Sequence, residues 1–122
     1  MHAYEIPNLR FSVLAGANVP RRRFVTVNAS GEGVIASAGG YAIGVSMNDA
    51  NTGEVLEVSD GIVIVETVET GEGVPAGAKV SVGAGGKAVT ATEASEDTEA
   101  TPVVGIALTG AGAGGTIAVK MV

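Results

Sequence analysis

Short valine-rich runs broken by glycine are the feature that most constrains the fold of this chain. Valine occurs 19 times and leucine only 4 times, and 19 glycines are scattered along the 122 residues without a three-residue period. β-Branched side chains favour pleated strands, and frequent glycines cut helices short. We therefore expect an all-β fold, a small compact antiparallel β-barrel or sandwich. The predicted strands are residues 24–28, 33–37, 41–47, 54–59, 62–68, 78–82, 88–92, 103–109 and 116–122.

The first 23 residues differ chemically from the rest of the chain. They carry four of the seven basic residues, and all four aromatic residues lie within the first 41 positions. Pro7 and Pro20 discourage a continuous helix there. We therefore predict an extended N-terminal arm, residues 1–23, followed by a single β-domain, residues 24–122. The alternative is that residues 11–14 form an ordinary first strand of the domain.

The arm is also the predicted contact element for a partner protein. It combines spaced apolar side chains with most of the positive charge, and an extended segment of this kind can add a strand to an exposed sheet edge. For the run of three arginines, a merely solvated charge cluster is the alternative. The predicted contact residues are Tyr4, Ile6, Leu9, Arg10, Phe11, Arg21, Arg22 and Arg23.

A weak internal repeat runs through the domain. Val25-Thr26-Val27 matches Val80-Ser81-Val82, and residues 43–47 match residues 104–108, where each copy carries glycine at its second position. In both copies a glycine-containing loop then leads to a final strand. This pattern predicts two similarly built halves of one domain, although chance matching in a Val- and Gly-rich chain is the alternative.

The segment Ile62-Val63-Ile64-Val65 is apolar at every position, so both faces of its strand require burial. One explanation is a central core strand. The other is that one face packs on a neighbouring subunit, because a small domain rarely covers both faces of a strand. On the second explanation, Ile62 and Ile64 are the predicted subunit-interface residues.

The sequence contains few of the residue types that catalysis and metal binding commonly use. The only histidine is His2, at a terminus where chains usually fray, and there is no cysteine, so neither a Ser-His-Asp triad nor a His- or Cys-rich metal site can be assembled within one subunit. Residues 48–54 lack the oxygen ligands of a calcium loop at two positions and are predicted to form a hairpin loop. Residues 110–115 lack the Lys-Ser/Thr of a phosphate loop and are predicted to form a turn. We therefore predict no catalytic residue, no cofactor and no metal, and we do not expect an enzyme.

Charge and hydropathy also limit the partners. The net charge is −6, whereas nucleic-acid-binding domains usually couple a basic face to net positive charge, so no nucleic acid is expected. No stretch approaches 18 uninterrupted apolar residues, so no membrane span is predicted. Residues 92–102, which include Glu93, Glu96, Asp97 and Glu99, are predicted to form a solvated loop.

Several segments of the sequence resemble the small head decoration, or capsid cement, proteins of tailed bacteriophages. These segments are the polar N-terminal segment that leads to Val25-Thr26-Val27, together with residues 43–45, 73–80, 86–89, 104–108 and 117–119. This resemblance implies a compact β-domain, often a homotrimer, that binds the major capsid protein and staples neighbouring capsomers. It also implies a virion protein on the outer capsid surface that is made in the host bacterial cytoplasm.

Two other functions fit parts of the pattern. A tail or neck component of the same particle shares the composition. A biotinyl- or lipoyl-type carrier domain is also built from Val- and Gly-rich half-repeats, but it presents a modified lysine at a hairpin tip. The one Lys-Met pair here, Lys120-Met121, lies at the end of the chain.

Overall fold

A computed structural model describes residues 6–122 of the chain. Within these residues the protein is built from nine strands and one short 3₁₀ turn, Ala84–Gly86, with no α-helix, which confirms the all-β prediction. The strands are β1 (Ile6–Leu14), β2 (Phe24–Val27), β3 (Gly33–Ile35), β4 (Gly44–Ser46), β5 (Val55–Glu66), β6 (Lys79–Val82), β7 (Ala88–Thr90), β8 (Gly105–Ala107) and β9 (Thr116–Met121).

All nine strands belong to one antiparallel sheet that curls into a half-barrel. The strand order is β3-β2-β4-β5-β9-β8-β6-β7, and β1 pairs with β5 outside this path. Ser59 pairs with Arg10 of β1 and with Val45 of β4, so these two strands lie on opposite edges of β5. Further along β5, Ile62 pairs with Lys120 of β9. The long strand β5 is therefore the centre of the fold.

The prediction of separate strands at residues 54–59 and 62–68, with a turn at Asp60-Gly61, was wrong. The chain passes through this point as one strand. Gly61 has a φ of 113°, which a residue with a Cβ rarely adopts, and its N–H donates to Asp60 Oδ1 at 2.6 Å. Opposite this point, the register of β1 shifts between Pro7 and Leu9. The glycine therefore bends the strand locally and does not reverse the chain.

The prediction that residues 1–23 stand apart from the domain needs a correction for residues 6–14. These residues form β1 and pair with β5 from Leu14↔Val55 to Ile6↔Ile62. The half-buried Phe11 side chain packs against the buried residues of the domain. Backbone hydrogen bonding and apolar burial thus make this segment part of the sheet, which is the alternative that the sequence left open for residues 11–14. Residues 1–5 lie outside the described part.

The sheet consists of two halves with the same strand pairing, which we call the N-terminal half (residues 6–60) and the C-terminal half (residues 61–122). In each half, a valine-rich strand pairs with a three-residue strand on one side and with a strand that starts with glycine on the other. The loop before the valine-rich strand forms a bridge with the loop after the glycine-starting strand. The matching pairs are Val25↔Ile35 with Val80↔Thr90, Val25↔Gly44 with Val80↔Gly105, Ser46↔Val58 with Ala107↔Val119, and Val19↔Ala50 with Val74↔Ala111. The predicted pair of similarly built halves is confirmed.

Each half buries its own apolar cluster, and the larger cluster also holds the halves together. The cluster of the N-terminal half contains Leu56 and Val58, whereas that of the C-terminal half contains Val63 and Val65. The first and second parts of β5 thus contribute to different apolar clusters. Phe24, Ala36 and Val45 belong to the N-terminal half but are buried in the cluster of the C-terminal half. The outer face of β2 and β4 is therefore covered by the other half.

Candidate functional site

The outward face of β1 is an exposed, partly apolar surface. Side chains alternate along the strand, so Phe11 and Val13 are half-buried while Arg10, Ser12 and Leu14 are exposed. Leu14 is 55% exposed and pairs in register with Val55, which is 53% exposed. Leu9, next to the register shift, is 56% exposed, but by alternation it lies on the same side of β1 as Phe11 and Val13. We call Arg10, Leu14 and Val55 the β1 face.

The sequence analysis found part of this face. Leu9 and Arg10 were predicted contact residues, and both are exposed. Leu14 and Val55 were missed, although the alternation of residues 10–14 was a usable signal once β1 was treated as a strand. Phe11 was also predicted as a contact, but its ring packs against buried residues. The side chain of Ile6 and the whole of Tyr4 lie outside the described structure.

The three consecutive arginines do not form one basic patch. Arg21 is exposed, and its backbone N–H donates to Asp49 Oδ1 at 2.8 Å. Arg22 is half-buried and has a φ of 64°.

Arg23 binds within the chain. Its Nε donates to Glu66 Oε2 at 2.9 Å, and its Nη1 donates to the carbonyl oxygen of Gly85 at 3.1 Å. Both partners belong to the C-terminal half, so the guanidinium of Arg23 joins the two halves. Arg10 and Arg21 are the predicted contact arginines whose side chains are exposed.

Ile62 and Ile64, the predicted subunit-interface residues, lie next to each other on one face of β5. Both side chains are half-buried, whereas Val63 and Val65 on the opposite face are fully buried. Ile64 pairs in register with the buried Ala118 of β9. The explanation as a central core strand therefore holds for this segment, and an interface through the two isoleucines stays a prediction.

The C-terminal half has an open cavity of 580 Å³ at the outer side of β6 and β7. Its wall includes Lys79, Thr90 and Ala91, together with Val103, which is 38% exposed. The loop of residues 92–101 forms the remaining side. The lining combines small apolar side chains with three threonines and the charged residues Lys79 and Glu93.

One surface ion pair has a clear electrostatic effect. Lys87 Nζ donates to Glu69 Oε1 at 3.0 Å, and this hydrogen bond, together with the positive charge of Lys87, lowers the pKa of Glu69. Because Glu69 is fully exposed, solvent screens the pair strongly. The pair joins the ends of β5 and β7 and contributes no reactive group.

Within residues 6–122 there is no group of three or more His, Cys, Asp or Glu residues arranged to hold a metal ion. In the same part of the chain, no helix has the length and apolar character needed to cross a membrane. The loops with possible ligand chemistry are hairpin connections, as predicted: residues 48–54 join β4 to β5, and residues 110–115 join β8 to β9. The surfaces described above are therefore the candidates for function.

Comparisons with known proteins identify a family from the sequence and a fold from the structure. A family model described as phage cement protein matches residues 5–121. Among solved structures, the head fiber gp8.5 N base in bacteriophage phi29 is similar with a TM-score of 0.69, 18% sequence identity, and 93% of each chain covered. At that identity the structural likeness establishes the fold. No curated protein sequence matches the chain.

Proposed function

Because the chain belongs to the phage cement protein family, with almost its whole length matched, we propose that it binds the outside of a phage capsid and staples neighbouring subunits of the major capsid protein. The family gives the chain a structural role at the capsid. The stapling, the outer location, synthesis in the bacterial cytoplasm and the absence of catalysis are parts of our proposal.

The observation that carries this proposal is the β1 face. Leu14 and Val55 are each more than half exposed, and they pair in register between β1 and the central β5. Exposed apolar side chains next to a cation are typical of a protein contact surface. Because the scaffold is rigid, little conformational entropy is lost when such a face binds.

Charge supports the same choice of surface. The protein has a net charge of −6, yet Arg10 and Arg21 present exposed positive charge near the N-terminus. A basic site on an acidic protein favours an acidic partner surface and disfavours other orientations of binding. We propose Leu9, Arg10 and Arg21 as the contacts with the major capsid protein, with residues 1–5 extending the same contact.

Self-association completes the proposal. The family resemblance implies a homotrimer, and a symmetric oligomer engages several capsid subunits at one junction. Each further contact then forms at a high effective concentration, so modest contacts per subunit can still hold a shell together. Ile62 and Ile64 stay proposed subunit contacts.

The test uses shells of the parent phage that lack this protein. We expect the purified protein to co-sediment with the shells saturably. Leu9→Asp and Arg10→Ser should each weaken binding at least about tenfold, an effect of about 1.4 kcal/mol. Val122→Asp places the same charge on another exposed apolar residue and should leave binding unchanged.

Melting temperatures of all variants separate lost contacts from lost folding. Failure of the folded wild-type protein to bind shells would overturn the proposal, as would binding to tails or necks in place of shells. Normal shell binding by both Leu9→Asp and Arg10→Ser would remove these two residues from the proposed contacts.

A further inference from the structure

The two halves of the chain make a contact that uses a different surface on each. The N-terminal half contributes the outer side of β2 and β3, and the C-terminal half contributes the turn Ala84–Gly86 at the tip of its β6–β7 hairpin. A Cβ on Gly86 would lie 2.6 Å from Ile35 Cγ2 and 2.9 Å from the Phe24 carbonyl oxygen. The tip therefore packs directly against the N-terminal half.

Polar contacts hold the tip in place. Arg23 Nη1 donates to the Gly85 carbonyl oxygen, and the N–H of Gly39 donates to the Val82 carbonyl oxygen at 2.9 Å. Val82 and Val104 of the C-terminal half are 2% and 5% exposed. We call the outer side of β2 and β3 a receiving surface, and the hairpin with its apolar neighbours an inserting surface.

The C-terminal half has its own receiving surface, at equivalent strand positions. The matching registers place Lys79 where Phe24 stands, Thr90 where Ile35 stands, and Ala91 where Ala36 stands. In the N-terminal half these positions are covered by the C-terminal half: Phe24 and Ala36 are buried in its apolar cluster, and Ile35 lies against the hairpin tip. In the C-terminal half they line the open cavity of 580 Å³.

The N-terminal half likewise has its own inserting surface, the β2–β3 hairpin with its tip at residues 28–32. Val27 and Ile43 occupy the positions of Val82 and Val104, and they are 42% and 37% exposed. Two large apolar side chains are thus exposed in one half where their counterparts are buried in the other. Each chain therefore leaves one inserting and one receiving surface exposed.

We propose that a second copy of this chain occupies the cavity: the β2–β3 hairpin of one subunit inserts between β6–β7 and the loop of residues 92–101 of the next. The contact repeats between subunits the packing that already joins the two halves within a subunit. It is a heterologous, head-to-tail contact, which forms a closed ring when the rotation between subunits closes. It rests on the self-association in the proposed function and names the surfaces that make it.

The long loop beside the cavity is compatible with this contact. The β7–β8 connection, residues 91–104, is six residues longer than the β3–β4 connection, residues 36–43. The extra residues fold back on themselves, because the N–H of Thr101 donates to the Thr92 carbonyl oxygen and the N–H of Thr92 donates to Thr101 Oγ1. The loop thus forms a wall of the cavity and leaves its interior open.

A head-to-tail contact can be tested by mixing two differently damaged subunits. Val27→Asp damages the inserting surface, and Ala91→Arg fills the receiving surface. Val55→Asp is the matched control, since Val55 is another exposed valine, 53% exposed against 42% for Val27, and lies at neither surface. All variants are checked for an unchanged melting temperature, and their masses are measured by light scattering at high micromolar concentration without capsid shells.

We expect the wild-type protein and Val55→Asp to assemble, and Val27→Asp and Ala91→Arg each to remain monomers. An equimolar mixture of these two variants should form 1:1 dimers, because only one intact inserting and one intact receiving surface remain. A monomeric wild-type protein, normal assembly of either single variant, or no dimer in the mixture would overturn the inference. Shell binding is measured separately, so failure here is distinguishable from failure of the capsid proposal.

Discussion

The Nε of Arg23 donates to Glu66 Oε2 at 2.9 Å, and this ion pair ties the start of β2 in one half of the protein to the end of β5 in the other. The Arg23 side chain is 18% exposed and that of Glu66 is 38% exposed. Because Arg23 also binds the Gly85 carbonyl oxygen, it contacts two separate segments of the C-terminal half. One arginine of the run therefore has a structural role that its neighbours lack.

Replacing Arg23 should weaken the contact between the two halves of the protein. We expect Arg23→Met, which keeps the aliphatic stem, to lower the free energy of unfolding by about 1–2 kcal/mol, because Glu66 and Gly85 lose charge-assisted hydrogen bonds. A double-mutant cycle with Glu66→Gln should give a coupling energy of about 0.5–1 kcal/mol, since both side chains are partly screened by solvent. Urea denaturation measures both quantities. Arg21→Met is the control and should stay within about 0.5 kcal/mol of wild type.

Gly44 and Gly105 occupy equivalent positions, and both should resist substitution. A Cβ on Gly44 would lie 2.6 Å from the Ser59 carbonyl oxygen, and one on Gly105 would lie 2.8 Å from the Lys120 carbonyl oxygen. Neither backbone can move without breaking strand pairing, so we expect each Gly→Ala change to cost about 1–3 kcal/mol. Gly112→Ala is the control, because nothing lies within 4 Å of its Cβ position. Equal stability of all three variants by urea denaturation would contradict the prediction.

Arg22 and Gly77 test the cost of a left-handed backbone at another pair of equivalent positions. Their φ angles are 64° and 85°, and both N–H groups donate to equivalent carbonyl oxygens, of Ser46 and Ala107. We expect Gly77→Ala to destabilise by about 1–2 kcal/mol through backbone strain alone, since a Cβ there meets no atom within 4 Å. Arg22→Gly should be neutral or stabilising by up to about 1 kcal/mol, because relief of strain exceeds the added chain entropy. Thermal denaturation of both variants decides the sign.

Glu69 should titrate below the ordinary range for glutamate. Its pKa is lowered by the hydrogen bond and the charge of Lys87, so the pair stabilises the folded protein above the ordinary glutamate pKa. This contribution is lost as the pH falls through the lowered value. Carboxyl NMR titration should show the low midpoint, and Lys87→Met should move it upward. An unchanged midpoint in Lys87→Met would show that Lys87 is not the cause.

Most of the strands could be predicted because their signals are local. Residues 24–27 and 79–82 are valine-rich and bounded by turn residues, and both form strands close to the predicted positions. Asp60-Gly61 carries the same local signal as a turn, yet β5 continues through it. The deciding factor there is the pairing of β5 with β1 and β9, which involves residues about 50 positions away on either side along the chain. Local patterns carry no information about such partners.

The candidate site was predicted less completely. Leu9, Arg10 and Arg21 are exposed as a contact surface requires, but Phe11 and Arg23 belong to the packing of the chain itself. Both residue types serve contacts between proteins and contacts within one protein equally well. Their role depends on whether another part of the chain lies nearby, and only the tertiary structure decides that.

By itself, the sequence determined an all-β chain of two similar halves, because β-branched alternation and glycine turns act over a few residues. Only the tertiary structure decided which outer face each half leaves exposed. Phe24 and Lys79 stand at equivalent positions in the two halves, yet one is buried under the opposite half and the other lines an open cavity. Burial arises from contacts between segments far apart in the chain, so it is a property of the assembled sheet.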